Sequence, residues 1–249
     1  MKNVTRTMCV STVLVLAVAG ATGAAKADFS INVNFVGGLT PSQQAIFTTA
    51  ANNWESLVTG YRPGISITGI NIDATGAVID GAGGILGSAG PDAFANQGGF
   101  WLSTHGAMTF DSADLASMES NGTLLYVIMH EMGHVMGIGT LWNANGVYTT
   151  NSGHFTGAAA LAAYQTEFNQ PGATFVPVEL GGGPGTANAH WDEATFGDEL
   201  MTGWIGGPTY TSQMTLGSLY DIGFTVVPTP GALALAGVGL GAAARRRTR

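Results

Sequence analysis

The chain predicts an α+β fold, and three observations carry that reading. Phe29–Phe35 alternates as Phe-Ser-Ile-Asn-Val-Asn-Phe, the period of two expected of a strand with one buried face. Ile65–Ile72 alternates in the same way, and Phe100–Phe110 adds more apolar and aromatic strand material. Two helix signatures accompany them: an amphipathic one opening at Thr40, and one apolar all round from Thr123 to Met136.

Taken in order, Thr40-Pro41 starts the first helix with proline in the first turn. Ala45, Phe47, Ala50, Ala51, Trp54, Leu57 and Val58 supply its core face. Residues 73–99, rich in Gly, Ala and Asp, read as loops with short strands. Asp111–Gly122 is polar and turn-like, and Asn121-Gly122-Thr123 reads as the approach to the next helix. That helix, apolar on every side, is a buried one, and Gly137 is a fitting stop. Gly133 inside it costs up to about 1 kcal/mol relative to Ala, which points to a packing or site reason for its presence. Gly139–Ala189 is loop-rich, with one helix around Ala158–Phe168. Met214–Ile222 reads as a last helix leading into a strand at Phe224–Val227.

Of the 249 residues only 10% are charged, against roughly 25% in an ordinary domain. The apolar share of 45% is enough for a core, so wholesale disorder is excluded, and the length suits one catalytic-size domain. All 16 acidic residues lie between positions 28 and 227 with Arg62 as the lone cation, so that segment carries 1 − 16 = −15. A body of this charge argues against nucleic acid as a partner and against docking on anionic membranes.

The two ends read as addresses. Lys2 and Arg6 precede an apolar run from Met8 to Gly20, and Ala25-Lys26-Ala27 ends the segment, the plan of a secretory signal over 1–27 cleaved before Asp28. The run is too short to span a bilayer. Cys9, the chain's one cysteine, lies inside it, so 28–227 must hold together without disulfides. Residues 228–249 combine Pro228-Thr229-Pro230-Gly231, an Ala/Leu/Gly run and an arginine cluster. This tail resembles a bacterial PEP-CTERM sorting signal, departing from it at Thr229. The resemblance implies an exosortase-type processing enzyme as partner, transient membrane retention, and export to the cell surface, matrix or medium.

The chemistry centres on His130-Glu131-Met132-Gly133-His134. Residues four apart on a helix lie a net ~40° apart and ~6 Å along the axis, so two imidazoles converge on one ion. Glu131, one step round, reaches a metal-bound water without being a ligand. With 5 His and 7 Glu in 249 positions, the motif arises by chance in about 0.3% of such chains. A catalytic zinc ion usually takes three protein ligands and keeps one position open. Glu167, Glu179, Glu193, His105, His154 and His190 are the downstream or separate candidates for the third; Thr140 stands where an ordinary metzincin would have it.

The run His130-Glu-Met-Gly-His-Val-Met-Gly-Ile-Gly, with Ala189-His190-Trp191-Asp192-Glu193 and Asp198-Glu199-Leu200-Met201-Thr202-Gly203 far downstream, resembles the leishmanolysin family of metzincins over about Asp111–Gly223. The resemblance implies a metzincin-type zincin: a twisted mixed sheet, an active-site helix, and a smaller irregular C-terminal subdomain. It implies that an inserted segment displaces the third zinc histidine, which makes His190 that ligand, and that Met201 forms the methionine turn. The sequence departs from eukaryotic members in having one cysteine, Cys9, and in showing no long pro-segment, so a cysteine-switch latency is not expected.

The expected function is therefore a secreted zinc endopeptidase acting on protein or peptide substrates, with Glu131 as general base and one Zn2+ ion on His130, His134 and His190. Asp192, Glu193, Asp198 and Glu199 read as solvated acids, with a role behind His190 or in binding Ca2+ as the sharper alternative. Trp142 and Trp204 read as core residues before cleft residues. Two other functions compete: a non-catalytic exported surface protein on a zincin scaffold, and a zinc hydrolase of non-peptide bonds.

Overall fold

A computed structural model describes residues 29–227 of the chain. The leader read at 1–27, its cleavage point before Asp28 and the tail read at 228–249 lie outside the described residues. In β1 (Ser30–Gly37) the alternation turns Ile31, Val33 and Phe35 inward and leaves Asn32 and Asn34 exposed. Thr40 then caps α1 (Pro41–Leu57). Its Oγ1 accepts from the Gln43 amide at 3.3 Å while the Gln43 side chain accepts from the Thr40 amide at 3.0 Å, a reciprocal capping box. β2 (Val58–Tyr61) follows, and then β3 (Gly69–Ala77), β4 (Gly87–Gln97) and β5 (Phe100–Asp111).

These strands form a four-stranded sheet in the order β1-β3-β5-β4, parallel across the first three and antiparallel at β4, so β4 is an edge. After α2 (Leu115–Asn121), α3 (Leu124–Met136) packs against α1 and against β4 and β5. The Trp54 indole N–H ties α1 to α3 by donating to the Met129 carbonyl at 2.9 Å. Phe35, Phe47 and Phe110 stack edge to face between sheet and helix.

The C-terminal part is built of short pieces: β6 (His154–Phe155), α4 (Ala158–Glu167), β7 (Val176–Pro177) and α5 (Glu193–Phe196), closed by α6 (Gln213–Asp221) and β8 (Phe224–Val226). Its core is an aromatic cluster in which Trp142, Phe155 and Trp191 lie within 5.3 Å of one another, ring centre to ring centre. β8 returns to pair antiparallel with β2, which joins this part to the first helix. No helix among the described residues is long and apolar enough to cross a membrane.

Three expectations from sequence change. The strand read at Ile65–Ile72 begins at Gly69 and runs to Ala77, because its register is set by β1, where Ser30 faces Gly69. Residues 73–99 hold an eleven-residue strand, β4, paired along its length with β5. An edge strand tolerates Pro91 and several glycines, since one row of its amides faces outward, and the register slips at Pro91. The stretch read as turn-like at Asp111–Gly122 contains α2, whose Leu115 and Met118 are buried; two apolar residues are too few to show a helical period.

Candidate metal centre

α3 carries the His-Glu-x-x-His motif. Leu124, Val127, Ile128 and Met132 bury the helix on several sides, and Gly137, at φ +118°, ends it in a left-handed conformation. His130 and His134 are both buried on one face. His190 arrives from the opposite side on a segment locked between two others: Glu179 N–H donates to the His190 carbonyl at 2.9 Å, and Trp191 N–H to the Met201 carbonyl at 3.0 Å. Gly139 lets that segment close on the end of α3. It sits at φ +74°, and a Cβ there would lie 2.1 Å from the Ala189 carbonyl oxygen, which no side chain survives.

The three Nε2 atoms form a triangle with sides of 3.0, 3.0 and 3.0 Å. Each Nδ1 donates to a backbone carbonyl: His130 to Leu200 at 2.7 Å, His134 to Ile138 at 2.9 Å and His190 to Thr186 at 2.9 Å. Those bonds fix the tautomer, so three lone pairs point at one another with no proton between them. Burial, reinforced by mutual repulsion, pushes His130 down to about 3 and His134 well below the ordinary imidazole range; burial also lowers His190. Three neutral acceptors facing one another repel unless a cation lies between them. An equilateral triangle of this size has its corners about 1.7 Å from its centre, less than the ~2.0–2.1 Å zinc–nitrogen bond, so one point reaches all three at bonding distance. The donor set fits zinc.

Glu131 lies in the same cleft and is buried, and that burial pushes its carboxyl up to about 8. The cleft encloses about 950 Å³. Ile79, Ile85 and Leu86 line one wall, and Gly185, Trp204 and Ile205 contribute to the other. The first wall is tied down by Asp111, whose carboxylate accepts from the amides of Ile79, Asp80, Gly81 and Ala113; these bonds hold its pKa at about 2.

Met201 is fully buried, and its thioether lies against Gly133, where a Cβ would fall 2.7 Å from the sulfur. That contact is the packing reason for a glycine in mid-helix. His154 is exposed and stacks on Phe175 at 3.6 Å, and His105 on β5 bonds Asp92 at 2.6 Å outside the cleft lining. Glu167 accepts from the Met214 amide, and Glu179 from the amides of Gly181 and Glu193; neither joins the triangle, and nor does Glu193.

Trp142 is in the core as read, but Trp204 is 52% exposed and lines the cleft, correcting the core reading. Glu199 is fully buried, not solvated, and takes four hydrogen bonds. Asp192 caps α5. The carbonyls that orient the histidines belong to the backbone and leave no mark in the residue types.

Three imidazoles around one point, with a cleft on the open side and a glutamate beside them, make the donor set that catalytic zinc sites use. The chain belongs to the leishmanolysin family of peptidases, whose profile matches residues 102–235. It is also 28% identical over 115 residues to a leishmanolysin homolog from Crithidia fasciculata, a match covering 41% of this chain and 17% of that relative. The chain therefore spans under a fifth of the curated relative it matches. The family is one of zinc-dependent metallopeptidases, whose substrates are proteins or peptides.

Proposed function

We propose that the protein is an exported zinc endopeptidase of metzincin type, with His130, His134 and His190 as zinc ligands, Glu131 as general base and Met201 as the methionine turn. The observation that carries the reading is the triangle of neutral Nε2 atoms opening on the cleft that also holds Glu131. Bound zinc would supply Lewis acidity, polarising the scissile carbonyl and lowering the pKa of water towards ~7. The rest is done by the chain. The three carbonyl acceptors hold the rings in the donor tautomer. Glu131 takes a proton from the attacking water at its carboxylate and delivers it to the departing amine nitrogen. Its burial suits that task, because a carboxylate with a raised proton affinity is the stronger base.

The cleft walls carry aliphatic and aromatic side chains and no lysine or arginine, which suits a neutral peptide segment entering between them. Export through the 1–27 leader and processing of the 228–249 tail by an exosortase-type enzyme complete the proposal.

The test is hydrolysis of casein by purified protein with and without zinc, compared with Glu131→Ala. Zinc-dependent cleavage in the wild type, lost by ~10²–10⁴-fold in a variant that still holds one zinc, is the expected result. Cleavage undiminished in Glu131→Ala would overturn the assignment of the base. A zinc-loaded wild type inert on proteins would favour the scaffold or non-peptide readings.

A further inference from the structure

We propose that Glu199 is a positioning residue of the metal centre, acting on His130 through the peptide unit between Leu200 and Met201. The inference rests on the three histidines being metal ligands, and it goes beyond that reading to a carboxylate that touches none of them. The carbonyl of this one peptide unit accepts from His130 Nδ1 at 2.7 Å, and its N–H donates to Glu199 Oε2 at 2.7 Å. A single amide is thus gripped at both ends. A negative charge on the N–H side polarises the amide, enriches its carbonyl oxygen and strengthens the bond that oxygen accepts. A stronger Nδ1–H bond holds the ring's tautomer and tilt and makes Nε2 a better donor to a metal.

The hydrogen-bond directions require Glu199 to act as an acceptor throughout. Oε1 takes the Ser212 amide at 3.0 Å, the Ser212 hydroxyl at 2.8 Å and the Thr215 hydroxyl at 2.6 Å. Ser212 Oγ is already occupied as an acceptor by the Thr215 amide, and Thr215 Oγ1 by the Trp191 indole N–H, so each hydroxyl proton points to Glu199. Four donors on a fully buried group are what a carboxylate accommodates and a carboxamide does not. The other two ligands lack such a charge: the peptide unit behind His190 passes its N–H, that of Ala187, to the neutral carbonyl of Gly183, and both remaining Nδ1 bonds are longer at 2.9 Å. Through Thr215 and Trp191 the same carboxylate also braces the segment next to His190.

Glu199→Gln tests this at constant volume. The glutamine oxygen keeps the three partners around Ser212 and Thr215, which turns its NH₂ onto the Met201 N–H and breaks the relay at that one link. Zinc affinity is read by chelator competition on the whole purified chain, and the imidazole Nδ1 protons by NMR. Glu199→Gln is expected to raise the zinc Kd by about 10–100-fold, whereas Asp221→Asn, which removes a half-buried carboxylate at the end of α6 that accepts from the first amides of α4, leaves it unchanged. In the wild type the His130 Nδ1 proton resonates furthest downfield of the three and moves towards the others in Glu199→Gln. A folded Glu199→Gln that binds zinc as tightly as the wild type overturns the relay. If the variant does not fold, the wild-type spectrum decides: a His130 proton no further downfield than those of His134 and His190 overturns it equally. Wild-type protein that takes up no zinc refutes the metal centre itself, a failure distinct from either.

Discussion

Replacing His190 or His154 by alanine, one at a time, puts the third ligand to a direct test. The three equal Nε2 separations of 3.0 Å make the donors equivalent, so each carries about a third of the binding free energy. Taking about 12 kcal/mol for zinc, loss of one donor costs about 4 kcal/mol, close to a thousandfold in Kd. At a free zinc concentration a thousand times the wild-type Kd, the ion stabilises the wild type by about 4.1 kcal/mol. For a domain of this size that is a thermal shift of about 8–16 °C between chelated and zinc-loaded protein. In His190→Ala the same zinc concentration only equals Kd, which leaves RT ln 2, about 0.4 kcal/mol, or about 1 °C. His154→Ala retains the full shift, since that ring is exposed against Phe175. Calorimetry with and without chelator reads the shift, and elemental analysis reads the stoichiometry. A His154→Ala protein that loses its zinc beside a His190→Ala protein that keeps it would refute the reasoning.

In zinc-free protein the three buried histidines should cost stability in mild acid. The histidines sit below their unfolded pKa of about 6.5, His130 at about 3, so the unfolded chain binds more protons as pH falls. Their contribution is full above pH ~6.5 and declines below it, by up to about 1.4 kcal/mol per pH unit for each ring. Glu131, raised to about 8, works the other way above its ordinary 4.5, and burial raises Glu167, Glu199 and Asp221 in the same sense, so the histidines' share is read by difference. Denaturant titrations at pH 7 and pH 5.5 on the zinc-free wild type and on a variant with all three histidines replaced by glutamine measure it; a wild type that loses no more stability than the variant at the lower pH would contradict the burial argument. Gly139→Ala forces a side chain into φ +74° and against the Ala189 carbonyl, which should cost ~3 kcal/mol or more and weaken zinc binding, as thermal melts and chelator competition would show. Trp204→Ala, in the exposed cleft wall, should change stability by less than about 0.5 kcal/mol while altering peptide turnover; a melt shifted by many degrees would place that ring in the core after all.

Much of the part built on the four-stranded sheet was legible because its signals are local. The period of two in Phe29–Phe35, the Thr40 cap, the unbroken apolar helix and the four-residue spacing of His130 and His134 each act within one element. The third histidine was less so: spacing left six candidate ligands, and only likeness to a family singled out His190. The aromatic packing and backbone ladder around Trp191 bring it to the triangle across a separation of 56 residues. Strand β4 was hidden because an edge paired on one side needs no alternating pattern and tolerates glycine and proline.

What the sequence determined by itself is the chemistry available: two imidazoles and a carboxylate on one apolar helix, inside an acidic 28–227 segment whose lone cation is Arg62. What only the tertiary structure decided is how those groups are held. The tautomers depend on the carbonyls of Leu200, Ile138 and Thr186, the mid-helix glycine on the sulfur of Met201, and the role proposed for Glu199 on donors gathered from two segments, its own loop and the start of α6. Backbone acceptors have no residue identity, and a buried carboxylate is spelled no differently from a solvated one, so such roles become visible only when the chain is folded.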